Sequence, residues 1–304
     1  MRKSSLVSMI GGLVFAIAGA ASSGCAEAPV DQQQACNGLE AAITDPNAMP
    51  EDLMAYLDEH HWSHMHLDFH VARMWDILGA DSQQWATDQG IARWKQQEGE
   101  VGTGIEFLAM HRLMLAELRA QFPQHVALFD GWTSPPTSND DPAGPVAPGT
   151  QPFSPAMISA IDRLTTKLAD FSSDDEMALY LQTTRRPTED NPRGRSSERG
   201  AGIHNYLHNR YNDESSPINV GDPARNLKNQ IFWRIHGWVD ARWTAYRKAK
   251  GLDDATDPVY LKAMADAQVW MDDVMQHSAH MGDKTDDGCE TVPDEVRNLF
   301  DDSL

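Results

Sequence analysis

Two histidines, His204 and His208, most constrain how this chain can fold and what it can bind. They stand four residues apart, so on an α-helix their side chains share one face with Cβ atoms about 5–6 Å apart. At that separation two imidazoles can bind one metal ion. A third histidine, His236, lies further along in an aromatic-rich segment with helical periodicity. The spacing therefore predicts a metal site shared by two helices.

The segment around His236 has the signals of one long helix. Asp222 can cap it, Pro223 suits its first position, and Gly251 can end it. Asp240 follows His236 by one helical turn. A carboxylate there can accept a hydrogen bond from the imidazole nitrogen that does not bind the metal, which fixes the tautomer of the ligand. We therefore predict that Asp240 supports His236.

The composition bounds the class of protein. The 304 residues are enough for one sizeable core or two small domains. Lysine and arginine number 25 against 45 aspartates and glutamates, which gives a formal net charge of −20. Such an acidic surface argues against nucleic acid as a partner and suits an extracytoplasmic protein.

The first 25 residues have the pattern of a secretory signal. Arg2 and Lys3 precede an apolar stretch and then small residues, and the stretch is too short for a membrane span of the mature protein. Gly24-Cys25 is also similar to a bacterial lipoprotein signal, in which Cys25 would be lipidated and attach the protein to a membrane. Ordinary cleavage near Ala20 is the alternative. Both routes predict a protein of the cell envelope or a secreted protein.

Two cysteines remain after Cys25. In an oxidising compartment Cys36 and Cys289 could form a disulfide that ties the two ends of the domain together, and two free thiols are the alternative.

Beyond a polar tether at residues 26–45, the chain has the pattern of helices joined by long loops. Apolar periodicity predicts helices over 50–78, 82–97, 107–118, 157–171, 174–184 and 258–280. Residues 133–155 and 185–200 are rich in turn-forming residues and are predicted loops. No convincing strand pattern is present. Residues 46–304 are therefore predicted to form a mainly α domain, an antiparallel helix bundle, although the first loop could also separate two domains.

The first predicted helix carries five histidines. His60 and His64 lie on its seam of apolar residues, so these two are predicted to face the core. His66 and His70 are also one turn apart but on a more polar face, and they are the alternative pair. His61 could replace either of the preferred residues.

Residues 204–240 resemble the second copper half-site of the type 3 copper proteins, the group of tyrosinases, catechol oxidases and haemocyanins. The resemblance consists of His-Asn-x-x-His beginning at His204, followed by Phe232, His236 and Asp240 at intervals of four. One departure is that Asn229-Gln230 stands where the family has Asp-Pro.

The first half-site of that family is matched by Phe107-Leu108-Ala109-Met110-His111-Arg112. In the arthropod branch the other two ligands come from a histidine-rich helix similar to the run from His60 to Leu67. The resemblance therefore implies a bundle that holds two copper ions, with the predicted ligands His60, His64 and His111 for one and His204, His208 and His236 for the other. Neutral imidazole suits both oxidation states of copper.

The resemblance implies a dicopper oxidase that uses dioxygen to oxidise a small phenol or catechol to a quinone. Asn205 matches the position that in some tyrosinases orients a water for deprotonation of the phenol, and Glu198 is the nearest candidate for the cooperating glutamate. Two alternatives stay open: a dioxygen- or copper-binding protein without turnover, and a degenerate protein that keeps only the second copper. The other histidines are interpreted as structural or surface residues, namely His125, His277 and His280.

Overall fold

The computed structural model describes residues 45–138, 153–191, 193–281 and 292–300, with the backbone alone for 277–281. The predicted signal, all but the last residue of the predicted tether, and the three cysteines lie outside the described residues. The side chains of His277 and His280 do so as well.

The described part of the chain is mainly α-helical, which confirms the predicted fold class. It contains isolated β-bridges but no strand. The α-helices are α1 (Glu51–Glu59), α2 (Trp62–Arg73), α3 (Ala80–Asp88), α4 (Thr103–Gln121), α5 (Pro155–Thr166), α6 (Asp174–Gln182), α7 (Ile203–Arg210), α8 (Gln230–Lys250), α9 (Pro258–Met281) and α10 (Asp294–Arg297). Short 3-10 helices cover Trp75–Ile77, Pro123–Phe129, Leu168–Asp170 and Asn226–Lys228.

The first predicted helix, 50–78, is broken at His61. This residue has φ 54° and ψ 32°, and it is the one non-glycine residue in the described part of the chain with a positive φ. A left-handed residue cannot continue a right-handed helix, so α1 ends at Glu59 and α2 begins anew at Trp62. The apolar stripe predicted for one continuous helix over 50–78 therefore does not apply to α2. The buried face of α2 is set independently of α1.

The helix that carries His236 begins later than predicted. Asp222 and Pro223 lie in a turn, and α8 begins at Gln230, where the Asn229 side chain accepts a hydrogen bond from the backbone N–H of Ile231 at 2.9 Å. Its end is as predicted, since Gly251 has φ 66° and closes the helix. The predicted helix over 82–97 is also shorter, ending at Asp88.

Helix α4 is the centre of the packing. It contacts α6, α8 and α9, while α2 packs on α9 and α7 packs between α6 and α8. The main core is rich in large aromatic side chains that are fully buried, among them Trp62, Trp233, Trp238 and Trp243. A smaller core joins the other face of α2 to Val296 and Leu299 near the end of the chain. The helices that bear the candidate ligands are thus held on several sides.

Two glycines, Gly237 in α8 and Gly131 in the turn after the 3-10 helix of residues 123–129, allow the backbones of these two segments to lie close together. A Cβ atom on Gly237 would lie 2.5 Å from both the Gly131 nitrogen and the Phe129 carbonyl oxygen. Gly131 has φ 71°, and a Cβ on it would lie 2.1 Å from the Trp238 nitrogen. This close approach fixes the position of α8 directly beside His236.

None of the helices in the described residues is both long enough and apolar enough to cross a bilayer.

Candidate metal centre

Six buried histidines form two groups of three in the helical core. The first triad comprises His66 and His70 from α2 and His111 from α4, and the second comprises His204 and His208 from α7 and His236 from α8. Within each triad one ring nitrogen from every residue lies within 4.8 Å of the other two. No member is more than 2% exposed. Each triad has the composition of a three-imidazole metal site.

The distances between ring nitrogens fit a bound metal ion. In the first triad, Nε2 of His66 lies 3.2 Å from Nε2 of His70 and 3.4 Å from Nε2 of His111. In the second, Nε2 of His236 lies 3.3 Å from Nε2 of His204 and 3.4 Å from Nε2 of His208. Metal–nitrogen bonds of about 2.0–2.1 Å at tetrahedral angles would place ligand nitrogens about 3.3–3.4 Å apart. The residues present therefore fit one metal ion in each triad.

Four of the six rings are oriented through Nδ1. This atom lies 3.2 Å from the Pro223 carbonyl oxygen in His66, 2.9 Å from the Phe107 carbonyl oxygen in His111 and 2.7 Å from the Val220 carbonyl oxygen in His208. In His204 it lies 2.9 Å from Oδ1 of Asn205. Because these oxygens only accept, Nδ1 carries the proton and Nε2 presents a lone pair to the centre of the triad.

Burial keeps all six imidazoles neutral at physiological pH. Desolvation lowers the pKa of His66 to about 3 and that of His208 to about 4. It also lowers the pKa of the other four well below the usual value, and neighbouring histidines add to the effect in each of them. Neutral rings with inward lone pairs repel one another unless a cation or a shared proton lies between them. The ligand set can therefore bind a metal without a net loss of protons.

The two triads are adjacent. The ring of His111 stacks on that of His236 with centroids 4.0 Å apart and an angle of 9° between the planes. Phe107 packs on both His111 and His204, and Phe232 packs on both His66 and His208. His111 of the first triad therefore borders the second triad, and His236 of the second triad borders the first. The two triads together make up a single candidate dinuclear centre.

Phe300 covers this centre. Its ring stacks on His208 at 4.5 Å, and it contacts His70 edge-on at 4.9 Å and His204 at 5.7 Å, so it spans both triads. The side chain is 1% exposed. Its backbone carbonyl accepts a hydrogen bond from the Asn209 side chain on α7.

The structure corrects the predicted first pair, His60 and His64. His60 is half-buried, with its Nδ1 3.0 Å from the Tyr56 carbonyl oxygen and its ring stacked on Tyr56, and His64 is exposed. The break at His61 resets the helical phase, so α2 buries His66 and His70 instead. Of the predicted ligands the structure brings together His111 with the first triad and His204, His208 and His236 in the second.

The predicted supporting residues divide three ways. Asn205 is buried and orients His204, so it lies at the centre. Asp240 does not reach His236, because its carboxylate accepts from Nε of Arg112 at 2.5 Å and lies 3.7 Å from Arg119. Glu198 is exposed and paired with Arg163.

The sequence prediction does not include Phe300, and it contains His66 and His70 only as the alternative pair. A signal for Phe300 was present, since Val296, Leu299 and Phe300 are apolar positions spaced by three and four in an acidic tail. His125, a predicted structural or surface residue, lies 3.0 Å from Asp52 in an exposed pair.

Neither the protein-family models nor the curated proteins compared with this chain give a match. The fold and the site themselves define the class: a mainly helical protein with two buried three-histidine clusters consistent with a dinuclear metal site.

Proposed function

We propose that the protein is a type 3 dicopper oxidase that uses dioxygen to oxidise small phenols or catechols to quinones. The proposal includes an extracytoplasmic location, which the signal-like residues 1–25 support, and attachment to a membrane through a lipidated Cys25. Copper is the metal proposed because imidazole-only ligand sets suit it in both oxidation states.

The observation that carries the proposal is the stacked contact between the two triads. His111 and His236 lie 4.0 Å apart ring to ring, so metal ions in the two triads would be neighbours. The degenerate alternative, with a single copper at the second triad, is disfavoured because the first triad is also complete. Two neighbouring copper ions would supply reversible two-electron chemistry with dioxygen.

The chain's own residues would orient the ligands and exclude water. The Nδ1 contacts to backbone carbonyls and to Asn205 hold four of the rings, and the apolar walls of Phe107, Phe232 and Phe300 keep solvent away from the centre. The proton of a phenol would have to leave through a group other than Glu198, because that carboxylate is engaged with Arg163 at the surface.

Phe300 favours a second candidate function, reversible binding of dioxygen or copper without turnover. A binding protein keeps the ligands but shields them from organic substrates. The Phe300 ring lies against ligands of both triads, where an aromatic substrate would approach them. Shielding by a single side chain is easily removed by mutation, so the two functions are separable by experiment.

The first test is the identity and stoichiometry of metal in protein purified without added metal. We expect about two copper ions per chain and a new near-ultraviolet absorption band when the copper-loaded, reduced protein meets dioxygen. One copper per chain without such a band would contradict both candidate functions, and zinc or iron in the triads would contradict copper chemistry.

A matched pair of variants on α2 tests the assignment of the first triad. His66→Ala removes a buried ligand, and we expect it to reduce copper content to about one ion per chain. His64→Ala changes an exposed histidine two residues away on the same helix and should keep both ions. His208→Ala is the corresponding test of the second triad. Equal copper content in the His66→Ala and His64→Ala proteins would refute the assignment.

Quinone formation from a catechol separates oxidase from binding protein. If the protein is an oxidase, the wild type should form quinone. The Phe300→Ala variant should form quinone faster, because the smaller side chain opens the approach to both triads. A binding protein should show the dioxygen-dependent band and no turnover in the wild type. Absence of quinone from both proteins, with two coppers bound, would rule out the oxidase.

A further inference from the structure

Each triad contains one ring that lacks the Nδ1 contact holding the other two. In the first triad it is His70, and in the second it is His236. Both side chains are 1% exposed, and their Nδ1 atoms have no hydrogen-bond partner among the described residues. The two triads thus share a pattern of two anchored rings and one unanchored ring.

The surroundings of the unanchored rings explain this absence. His70 packs against the rings of Phe69 and Phe300, with centroids at 5.3 and 4.9 Å. His236 lies between His111 at 4.0 Å and Phe232 at 4.1 Å. The phenylalanine rings have no oxygen or nitrogen acceptor, and His111 presents only the face of its ring to His236. A proton on Nδ1 would therefore be a buried donor without an acceptor, which costs free energy.

A proton on Nε2 does find an acceptor. Nε2 of His70 lies 3.2 Å from Nε2 of His66, which presents a lone pair because its own proton is on Nδ1. Nε2 of His236 lies 3.3 Å from Nε2 of His204 and 3.4 Å from Nε2 of His208, and both of these also present lone pairs. A ring proton on Nε2 can therefore be shared with His66 in the first triad, and with His204 or His208 in the second, when no metal is bound.

We propose that His70 and His236 are switching ligands, which carry their ring proton on Nε2 in the metal-free protein and on Nδ1 in the metal-loaded protein. The other four rings keep the same tautomer in both states. The inference rests on the proposed metal site and concerns which hydrogen bonds join the rings of that site when no metal is bound. Each switching ring loses one proton from Nε2 to solvent and takes one from solvent at Nδ1, so its charge is zero before and after.

The switch distinguishes the roles of the ligands within each triad. His66, His111, His204 and His208 are held in the metal-binding tautomer by the fold, so their positions are set before metal arrives. His70 and His236 gain the metal bond but lose the hydrogen bond that Nε2–H made. They should therefore be the more adjustable ligand of each ion.

Long-range proton–nitrogen NMR spectra of the uniformly ¹⁵N-labelled full chain test the proposal, because the nitrogen shifts of each ring report its tautomer. Zinc(II) is the probe, since it suits imidazole ligands and has no redox chemistry. In the metal-free protein we expect four buried rings protonated on Nδ1 and two on Nε2. After loading with zinc, all six should be protonated on Nδ1. His60 and His125, which lie outside the triads, should show no change and serve as internal controls.

The wild-type spectra give the count without any variant, and His70→Gln and His236→Gln identify the two switching signals. Through-bond correlation to the side-chain carbons provides the same assignment if a variant does not fold. Six Nδ1-protonated rings in the metal-free protein would overturn the inference, as would two bound zinc ions with an unchanged four-to-two pattern. Failure of the proposed function alone looks different: zinc would bind with the expected change of tautomer, while the copper-loaded, reduced protein would show no dioxygen-dependent band.

Discussion

Asn205 supplies the one side-chain anchor among the four anchored rings, since the other three Nδ1 atoms face backbone carbonyls. The resemblance implied a catalytic role for this residue in orienting water. Its position against His204 supports a different role, that of a positioning residue which holds a ligand in the metal-binding tautomer.

Replacing Asn205 by alanine should weaken metal binding at the second triad. The variant removes the acceptor for Nδ1–H of His204, and loss of such a contact typically lowers metal affinity about 10- to 100-fold. The measurement is a chelator competition titration with zinc(II), which resolves the affinities of the two ions. The first triad is the internal control, because its anchors are unchanged. Equal weakening of both ions, or none, would contradict the positioning role.

At the scale of helices, α8 depends on the close crossing at Gly237. Helix propensity alone favours alanine over glycine by about 1 kcal/mol in a helix interior. The crossing reverses that expectation, because a Cβ on Gly237 would lie 2.5 Å from the Phe129 carbonyl oxygen and the Gly131 nitrogen.

We expect Gly237→Ala to lower the free energy of unfolding by about 1–3 kcal/mol, the usual cost of overpacking. Urea denaturation of the metal-free protein measures it. The adjacent His236 should shift with the helix, so zinc affinity at the second triad should fall more than that at the first. A free energy of unfolding equal to or above the wild-type value would show that α8 does not need this contact.

The C-terminal segment of residues 292–300 is the element that places Phe300. Arg297 lies 3.3 Å from the buried carboxylate of Asp222, and Glu295 accepts from the backbone N–H of Gly79 at 2.8 Å. Val296 and Leu299 are buried in the smaller core. The segment is therefore held by a few polar contacts, by two apolar side chains in the smaller core and by Phe300 itself.

Arg297→Met should loosen this segment without unfolding the protein. A partly exposed ion pair contributes up to about 1 kcal/mol, so amide hydrogen exchange at residues 296–300 should quicken by up to about fivefold. Hydrogen-exchange mass spectrometry measures this. Arg225→Met is the matched control, because Arg225 also pairs with Asp222, at 3.4 Å, but does not belong to the segment. The same acceleration in both variants would argue against a specific role for Arg297.

Much of the helical arrangement was predictable from local pattern. The buried stripes of α4 and α6 and the glycine stop of α8 follow from spacing and residue type. The break at His61 was not predictable, because no residue there demands a left-handed conformation. It is held by packing on either side, which the sequence of one segment does not reveal.

The same reason limited the prediction of the site. The second triad could be predicted because His204 and His208 lie on one uninterrupted helix and His236 lies on another. The first pair depended on the phase of α2, which changes at the break. The contact of Phe300 with both triads joins residues that are far apart in sequence, and periodicity carries no information about such contacts.

For the whole molecule, six buried neutral histidines make metal-free stability depend on pH. Their folded pKa values lie below the unfolded value of about 6.5, so the unfolded chain binds more protons between those values. Stability is therefore highest above about pH 6.5 and falls as the pH drops. Two carboxyl groups act in the opposite direction against the six histidines: burial raises the pKa of Asp68 to about 7 and also raises the pKa of Asp222.

We expect the free energy of unfolding of the metal-free protein to fall by up to about 2 kcal/mol per triad histidine between pH 7 and pH 5. The sum is comparable with the total stability of an ordinary domain, so the metal-free protein should unfold readily near pH 5. Urea denaturation at several pH values measures the slope. A metal-free protein equally stable at both pH values would contradict charge-neutral burial of the six rings.

The left-handed residue between α1 and α2 has a consequence for how this protein can vary in length. In an uninterrupted α-helix, one inserted or deleted residue turns everything beyond it by about 100°. The break at His61 ends one helix and starts another, so the orientation of α2 is set by its own packing and not by the residues of α1. Insertions and deletions in α1 should therefore be tolerated by the first triad, whereas a single one between Trp62 and His70 would turn its ligands out of the core.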